Sequence, residues 1–471
     1  MVLKDITSDK DMGKVNRQKI IVYGAGNNCI YSFYDLDRYY NIVSVIDADA
    51  TKHGKKFFGK NICGVEEIEH YEYDKVVVTP SNNEGLRNLL ENIGVQSERI
   101  YTLQEALDDI STDVGEQQDY DQLLSGAIVF YGGMGDLLIG HSWLVNLQSK
   151  YKSDITSLDL YFSKGLFDDA MLIFSDIADG DNLYCIDPAN SDLFNGKKYG
   201  LMLRFCIVPE VWHYNSSFSA VFSRQFVDYI TKLVDYGNKY YNRGFFTAGD
   251  YCKTVRKQLI DKGNTKYHTA YDVFDEFDHS KEHYGLCVDK NTEQEYLSNF
   301  NLTGKKFITI NTGLNKEYEK KANTRAWSYD NWKELSVKLK ELFPDITIVQ
   351  VGVRVRDEDD IPADIHLNGK TDLEEIAILL KNAFLHIDYD GGLVHVRHIY
   401  GGKSIVLMGP SSSKKHDYPE NIYIQTGVCS PCEWITGDWL SNCPHRYEDP
   451  ICMSSITVEM VSDIIVEEVK K

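Results

Sequence analysis

Apolar runs that lead directly into glycine-containing turns recur along the chain, and they restrict its fold more than any other feature. The clearest are Lys19–Tyr23, Ala127–Tyr131 and Leu385–Asp388, each followed by a turn with glycines and then by a stretch with helical spacing. Strands that alternate with helices in this way form parallel, doubly wound sheets. The sequence therefore predicts an α/β fold built from Rossmann-like units.

The chain is long enough for several such units. It has 471 residues, and a domain typically takes about 100–200. We predict an N-terminal Rossmann-like domain at residues 1–110, an acidic linker at 111–125, a second Rossmann-like domain at 126–300 and a third at 301–471. Two doubly wound units in tandem leave a cleft between them, in which a ligand could bind.

The charge of the chain excludes several classes of partner. Asp and Glu outnumber Lys and Arg by 71 to 50, and the formal charge is −21. Such a charge repels phosphate backbones and anionic membranes, so we expect no nucleic acid as a partner. The apolar runs are strand-sized, whereas a membrane span needs about 20 residues. Residues 1–17 lack the apolar region of a signal peptide. We expect a cytoplasmic protein without a transmembrane segment.

The first glycine turn carries part of a dinucleotide-binding fingerprint. Gly24 and Gly26 follow the strand, and Asp47 lies about twenty residues later, where such folds bind ribose. The third glycine position is Cys29, so we do not expect NAD as a cofactor. Residues 20–100 resemble the small Rossmann-like domain of various sugar-modifying and methyltransferase proteins. A nucleotide site at Gly24, Gly26 and Asp47 and a docking or oligomerisation module both remain open.

Five further motifs follow one another in the remaining chain. They are Gly-Met-Gly-Asp at 133–136, Thr-Arg-Ala-Trp at 324–327, Leu-Asn-Gly-Lys-Thr-Asp-Leu at 367–373, Asp-Gly-Gly-Leu-Val-His at 390–395 and Val-Leu-Met-Gly-Pro at 406–410. In this order they resemble the family 9, heptosyltransferase-like glycosyltransferases, over residues 126–460. The resemblance implies the B-type glycosyltransferase architecture, in which two Rossmann-like domains face a cleft, here with an added N-terminal domain. Residues 126–300 would then form the acceptor side and residues 301–471 the donor-binding domain.

The resemblance gives Asp136 the role of catalytic base. An inverting displacement at an anomeric carbon needs one base for the acceptor hydroxyl and stabilisation of the departing diphosphate. The alternative is that Asp136 only caps the helix that follows Gly135, a position at which aspartate is favoured.

The same resemblance implies a set of donor-binding residues in the cleft. They are Gly133, Gly135, Thr312, Arg325, Asp390, Gly391, Gly392 and His395. Backbone N–H groups and the helix dipole at 390–395 suit a diphosphate, and the Arg325 guanidinium can bind phosphate with two hydrogen bonds. Gly391 departs from the family, which usually has serine or threonine there, so we expect about 1 kcal/mol less binding free energy. The alternatives are a solvated basic stretch for Arg325 and a structural role for His395.

Four of the ten cysteines cluster near the C-terminus, at Cys429, Cys432, Cys443 and Cys452. A Cys-x2-Cys pair followed by two more thiols is a plausible tetrahedral ligand set for a structural zinc or iron ion. Some heptosyltransferase-like protein glycosyltransferases hold iron in a comparable cluster, whereas many family members have no assigned metal there. The chemistry itself is expected to need no cofactor.

Together these features predict an inverting glycosyltransferase that moves a heptose or hexose from a nucleotide-diphosphate donor to a hydroxyl group. The expected acceptor is a bacterial surface glycan, a lipopolysaccharide or a protein, and the enzyme is a candidate homo-oligomer. Two alternatives stay open. One is an NAD-dependent sugar-modifying oxidoreductase that uses the N-terminal domain, and the other is a non-catalytic nucleotide-sugar-binding protein.

Overall fold

The computed structural model contains three sheets that follow one another along the chain. It describes residues 17–26, 29–30, 32–33, 36–37, 40–80, 84–110, 126–155, 158–178, 182–187, 189, 199–214, 218–240, 266–279, 285–313, 323–353, 360–436 and 438–471. The linker expected at residues 111–125 lies outside these residues. We call each sheet, together with the helices packed on it, the first, second or third unit.

The first unit is a mostly parallel sheet with the strand order β3-β4-β2-β1-β5-β6. Its strands are β1 (Lys19–Tyr23), β2 (Asn41–Ile46), β3 (Lys56–Phe57), β4 (Lys60–Cys63), β5 (Lys75–Val78) and β6 (Ile100–Thr102), and its helices are α1 (Glu84–Asn92) and α2 (Leu103–Ile110). The pair β3 and β4 is antiparallel, whereas β1 pairs in parallel with both β2 and β5. The turn after β1 therefore lies where the strand order reverses.

The second unit is built around β7, which begins the second sheet. Its strands are β7 (Gly126–Phe130), β8 (Asp159–Ser163), β9 (Leu183–Ile186), β10 (Leu201–Phe205) and β11 (Pro209–Tyr214), and its helices are α3 (Met134–Ile155), α4 (Phe167–Ile173), α5 (Phe218–Val221) and α6 (Arg224–Tyr240). The order is β11-β10-β7-β8-β9, with only β11 antiparallel to its neighbour in this sheet. The order reverses between β7 and β10.

The third unit is a fully parallel sheet with the order β14-β13-β12-β15-β16-β17. Its elements are α7 (Lys290–Asn299), β12 (Phe307–Asn311), α8 (Tyr329–Leu342), β13 (Thr347–Val351), β14 (Ile365–His366), α9 (Leu373–Asn382), β15 (Leu385–Tyr389), α10 (Gly392–Ile399), β16 (Ser404–Leu407), β17 (Ile422–Ile424), α11 (Ile451–Ser454) and α12 (Val458–Lys470). This is the order of a dinucleotide-binding sheet. The predicted α/β fold class is confirmed.

Helix α7 lies before residue 301 but packs on the third unit. Lys381 at the end of α9 forms an ion pair with Glu293, at 2.6 Å between Nζ and Oε2, and the Asn382 side chain donates to the same carboxylate at 2.6 Å. The chain therefore enters the third unit ahead of the boundary expected from the sequence pattern.

Different parts of the chain cover the two faces of the second sheet. Ile128 and Phe130 of β7 belong to a core shared with α3 and α6. Ala127 and Val129, which alternate with them, belong to a core shared with β1 of the first unit. Successive side chains of a strand point to opposite faces, so the first unit forms the second layer over this sheet.

Among the helices that the structure describes, none combines the length and the apolar character that a membrane crossing requires.

Candidate functional site

The N-termini of two helices meet where the second and third units face each other. Helix α3 begins directly after the β7 turn, and α10 begins after the β15 turn. A Cβ atom on Gly135 would lie 2.7 Å from Cδ2 of His395, and one on Gly392 would lie 2.9 Å from Cε of Met134. The two helix ends approach so closely that a side chain at Gly135 would displace the His395 ring, whereas one at Gly392 would require the end of the Met134 side chain to move. Because helix N-termini carry partial positive charge, their meeting point favours an anion.

Asp136 lies in the first turn of α3, so it is not the residue that precedes the helix, as the capping alternative assumed. Its Oδ2 accepts a hydrogen bond of 2.7 Å from the Gly133 N–H, and its Oδ1 accepts one of 3.1 Å from the Tyr267 hydroxyl. The Gly133 N–H thus serves Asp136, although the sequence analysis assigned Gly133 to the donor.

The pKa of Asp136 is raised to about 6. Burial is the largest cause, and the charge of Asp390 adds to it, while the hydrogen bonds from Gly133 and Tyr267 and the charge of Arg325 act in the opposite direction. A carboxylate with this pKa is ionised at pH 7 and binds a proton more strongly than an ordinary aspartate does, which suits a general base.

Asp390, at the end of β15, is held by cations. Arg325 Nη1 donates to the Asp390 backbone carbonyl at 2.7 Å and lies 3.7 Å from Oδ2. His416 Nδ1 lies 3.5 Å from Oδ1, and the Ser411 hydroxyl donates to Oδ2. Burial acts to raise the pKa of Asp390, but His416 and Arg325 outweigh it and lower the pKa. Asp390 therefore holds Arg325 and His416 in place. These two basic side chains in turn compensate the negative charge of its carboxylate.

His416 lies between two carboxylates. Its Nε2 lies 3.2 Å from Oε2 of Glu433, on the side away from Asp390. Burial acts to lower the pKa of His416, but Asp390 and Glu433 outweigh burial and raise it, so the imidazolium form is favoured. Sequence reasoning missed His416, Glu433 and Tyr267, because they come from loops outside the recognised motifs.

His395 is in the neutral form. Burial and the positive charge of His416 lower its pKa to about 3. Its Nδ1 shares a hydrogen bond of 2.6 Å with the Tyr418 hydroxyl, which fixes the ring against Gly135. This arrangement fits the structural role that the sequence left open for His395.

The structure gives a reason for glycine at position 391. A Cβ atom there would lie 3.2 Å from Cζ of Tyr389, so a larger side chain would press on that ring. A hydroxyl is present close by, because that of Ser411 donates to Oδ2 of Asp390. Thr312, the remaining donor-binding prediction, follows β12, where the strand order reverses, and its hydroxyl lies 3.3 Å from that of Tyr329.

In the first unit, Asp47 closes the glycine turn. Its Oδ2 accepts from the Ala25 N–H at 2.7 Å and from Lys52 Nζ at 2.9 Å. Gly24 has a φ of +102° and touches Pro80, so its backbone requires glycine, whereas a Cβ atom on Gly26 would meet nothing within 4 Å. The carboxylate that a ribose would need is already bound within its own turn.

The four clustered cysteines lie in one neighbourhood as free thiols. Burial and the charges of Cys452, Cys443 and Cys429, in that order, raise the pKa of Cys432 to about 12. Among the residues that the structure describes, no three or more His, Cys, Asp or Glu side chains are arranged to hold a metal ion. The predicted metal site is therefore not formed by these thiols in their present arrangement.

Comparisons with known proteins address the two parts of the chain separately. A family model described as C2185-like, N-terminal, matches residues 16–101, which contain the first sheet. No curated protein matches the chain.

Solved structures match about three quarters of the chain at low identity. One is a glycosyl transferase family 9 protein from Veillonella parvula, with 13% identity, 75% of this chain and 100% of that chain covered, and a TM-score of 0.47. Another is the iron-containing dodecameric glycosyltransferase TibC from enterotoxigenic E. coli, with 15% identity, coverage of 74% and 78%, and a TM-score of 0.45. A third is the E. coli heptosyltransferase WaaC with ADP, with 14% identity, coverage of 74% and 98%, and a TM-score of 0.37. The matches thus include the family whose motifs the sequence contains.

Proposed function

We propose that the chain is an inverting glycosyltransferase that moves a heptose or hexose from a nucleoside-diphosphate donor to an acceptor hydroxyl in the cytoplasm. The observation that carries this proposal is the position of Asp136. A carboxylate with a pKa of about 6 lies beside the contact between two helix N-termini, within the electrostatic reach of Arg325. A base and an anion site are thus adjacent, as displacement of a diphosphate requires.

On the acceptor side, Asp136 takes the proton of the acceptor hydroxyl. The acceptor oxygen forms a bond to the anomeric carbon while the bond from that carbon to the diphosphate oxygen breaks. Because the acceptor enters opposite the departing group, the configuration at the anomeric carbon is inverted. The hydrogen bonds from Gly133 and Tyr267 hold the carboxylate in one orientation for this step.

On the donor side, positive charge compensates the leaving diphosphate. Arg325, held by Asp390, and the N-terminal N–H groups of α10 would stabilise it. The pairing of Asp390 with Arg325 and His416 removes the repulsion that a lone carboxylate would exert there. The acceptor that we propose is a bacterial surface glycan, a lipopolysaccharide or a protein, as the motif resemblance implies.

Ligand-induced stabilisation tests the donor site. We expect one nucleoside diphosphate to raise the melting temperature, since a ligand at 100 times its Kd adds about 2.7 kcal/mol to the free energy of unfolding. Arg325→Ala should weaken that binding by about 10–100-fold, because a hydrogen bond to a charged group contributes about 1.5–3 kcal/mol. Arg224→Ala, at an exposed position on α6, is the matched control.

Two results, one from this screen and one from an assay of sugar transfer, would contradict the proposal. Stabilisation by NAD alone would favour the oxidoreductase alternative, with its site in the first unit. Binding of a nucleotide sugar without any turnover on glycan or protein acceptors would favour the non-catalytic binding protein.

We also propose that Cys429, Cys432, Cys443 and Cys452 close around one structural zinc or iron ion. Four thiols are a suitable donor set once they move together, and a bound cation would stabilise their thiolate forms against the burial that raises the pKa of Cys432. No step of the transfer uses this ion. Elemental analysis of purified protein should find about one equivalent, lost in Cys432→Ser and kept in Cys287→Ser, whose cysteine is exposed. Finding neither metal in the unmodified protein would refute the site.

A further inference from the structure

A short segment of the chain connects the second unit to the third. We call residues 266–269 the strap; its residues Tyr267–Thr269 form one 3-10 turn. The Tyr267 N–H donates to the Lys415 carbonyl at 2.8 Å. Lys266 Nζ donates to the Lys414 carbonyl at 3.2 Å and forms an ion pair with Asp417. Backbone and side-chain contacts therefore both attach the strap to the third unit.

Two ring stacks strengthen this attachment. The Tyr267 ring stacks on His416, with centroids 4.5 Å apart and an interplanar angle of 27°. The His268 ring stacks on Tyr418, at 4.6 Å and 26°. His416 lies between Asp390 and Glu433, which raise its pKa and so favour its protonated form, and a protonated ring on the face of Tyr267 is attracted to it.

The strap also reaches the base. The Tyr267 hydroxyl donates to Oδ1 of Asp136, which belongs to the second unit, while its ring lies on His416 of the third. The Tyr267 side chain thus contacts the Asp136 carboxylate through its hydroxyl and the His416 ring through its face. If the third unit moved away from the second, the hydrogen bond and the stack could not both persist.

We propose that Tyr267 is a positioning residue for the base, which orients the Asp136 carboxylate and makes its readiness to accept a proton depend on the docked third unit. This inference rests on the proposed function and adds a residue that no motif contains.

The charges around Asp136 determine the direction of the effect. Besides Tyr267, the groups that act on this carboxylate are the Gly133 N–H and Arg325, which lower its pKa, and Asp390, which raises it. A hydrogen bond donated to the ionised form favours that form. Burial raises the pKa of Tyr267 well above its ordinary value, so the phenol stays protonated and remains a donor. Loss of the hydroxyl should therefore raise the pKa of Asp136 above about 6.

Tyr267→Phe isolates the hydroxyl, because the phenyl ring can keep its stack on His416. We expect the acid limb of the pH profile of kcat/KM to move up by about 0.5–1 pH unit. The KM for the donor should change little, and most of the lost rate at pH 7 should return near pH 8.5. Tyr447→Phe, at an exposed position, is the control and should leave the profile unchanged. An unchanged limb in Tyr267→Phe would overturn the inference.

A second readout needs no activity. Asp136 has a folded pKa above the unfolded value of about 3.9, so the stability present below that value is lost as the pH rises through about 6. Asn cannot ionise, so the melting temperature of Asp136→Asn relative to wild type should rise over this range and level off above it. The same difference measured in the Tyr267→Phe background should level off at a higher pH.

The transfer assay and the stability titration distinguish failure of the proposed function from failure of the role of Tyr267. If Asp136→Asn keeps its transfer rate, or the wild type transfers no sugar, the proposed function fails, and the titration still decides whether Tyr267 acts on the carboxylate. If Asp136→Asn is inactive but both titrations level off at the same pH, only the role of Tyr267 fails.

Discussion

Replacing Asp136 with asparagine is expected to reduce sugar transfer by about 10²–10⁴-fold, the usual contribution of a general base. The amide has the shape of the carboxylate, and its one oxygen can accept from the Gly133 N–H while its NH2 group donates to the Tyr267 hydroxyl, so the turn should persist. It cannot take the proton of the acceptor hydroxyl. Donor affinity should change little, because Arg325 and the α10 N-terminus are untouched. Transfer rates and donor Kd measured on the same preparation check this prediction.

The pH dependence of the unmodified enzyme belongs to the same prediction. Since burial raises the pKa of Asp136 to about 6, kcat/KM should fall as the pH drops through that value and the carboxylate becomes protonated. Asp463→Asn, on the exposed side of α12, is the control and should retain the full rate. A full transfer rate in Asp136→Asn would show that another group removes the proton.

Removal of residues 1–110 is expected to leave the rest of the chain insoluble or aggregated. The first unit shares one apolar core with large side chains of the second, namely Val129, Tyr131, Tyr161, Met202 and Trp212. Full burial of such a side chain contributes about 1.5–3 kcal/mol, and the second unit itself supplies part of it, since Tyr161 stacks on Tyr184 and bonds to Tyr199. Loss of the remaining part is large beside the total stability of a typical domain, about 5–15 kcal/mol. An exposed apolar face of this size also promotes association.

Expression and size-exclusion chromatography of a chain that starts at residue 111 would test this prediction. In the full chain, Val129→Asp should lower the melting temperature strongly, because it buries an unpaired charge between the first unit and the second sheet. Lys56→Asp, at an exposed position of the first unit, should have little effect. A soluble, monomeric truncated chain with an unchanged melting temperature would mean that the first unit is only loosely docked.

Local patterning was sufficient to predict the α/β fold class and the limits of several strands. The run predicted at Leu385–Asp388 is the strand Leu385–Tyr389, and the one predicted at Ala127–Tyr131 is the strand Gly126–Phe130. Strand and helix periodicities are properties of neighbouring residues, so they are legible without tertiary information.

The motifs also contained the residues at the centre of the candidate site. Arg325 and Asp390 are 65 positions apart in sequence and are joined by a hydrogen bond, and His395 touches Gly135. The proximity of Arg325 and Asp390 follows from the parallel strands β12 and β15, because the turns at the carboxyl ends of such strands meet along one edge of a sheet. The contact of His395 with Gly135 joins two different sheets and depends on how the second and third units pack. A motif at the end of each strand therefore predicts a common site.

The sequence by itself thus determined the α/β units, the glycine turns and the acidic and basic residues at the strand ends. Only the tertiary structure decided that Tyr267 donates to Asp136, 131 positions away, and that His416 lies between Asp390 and Glu433. It also decided that the first unit covers one face of the second sheet. The physical reason is that burial, hydrogen bonds and charge interactions depend on distances in space. The sequence of a loop without periodic patterning does not indicate which distant residues it contacts.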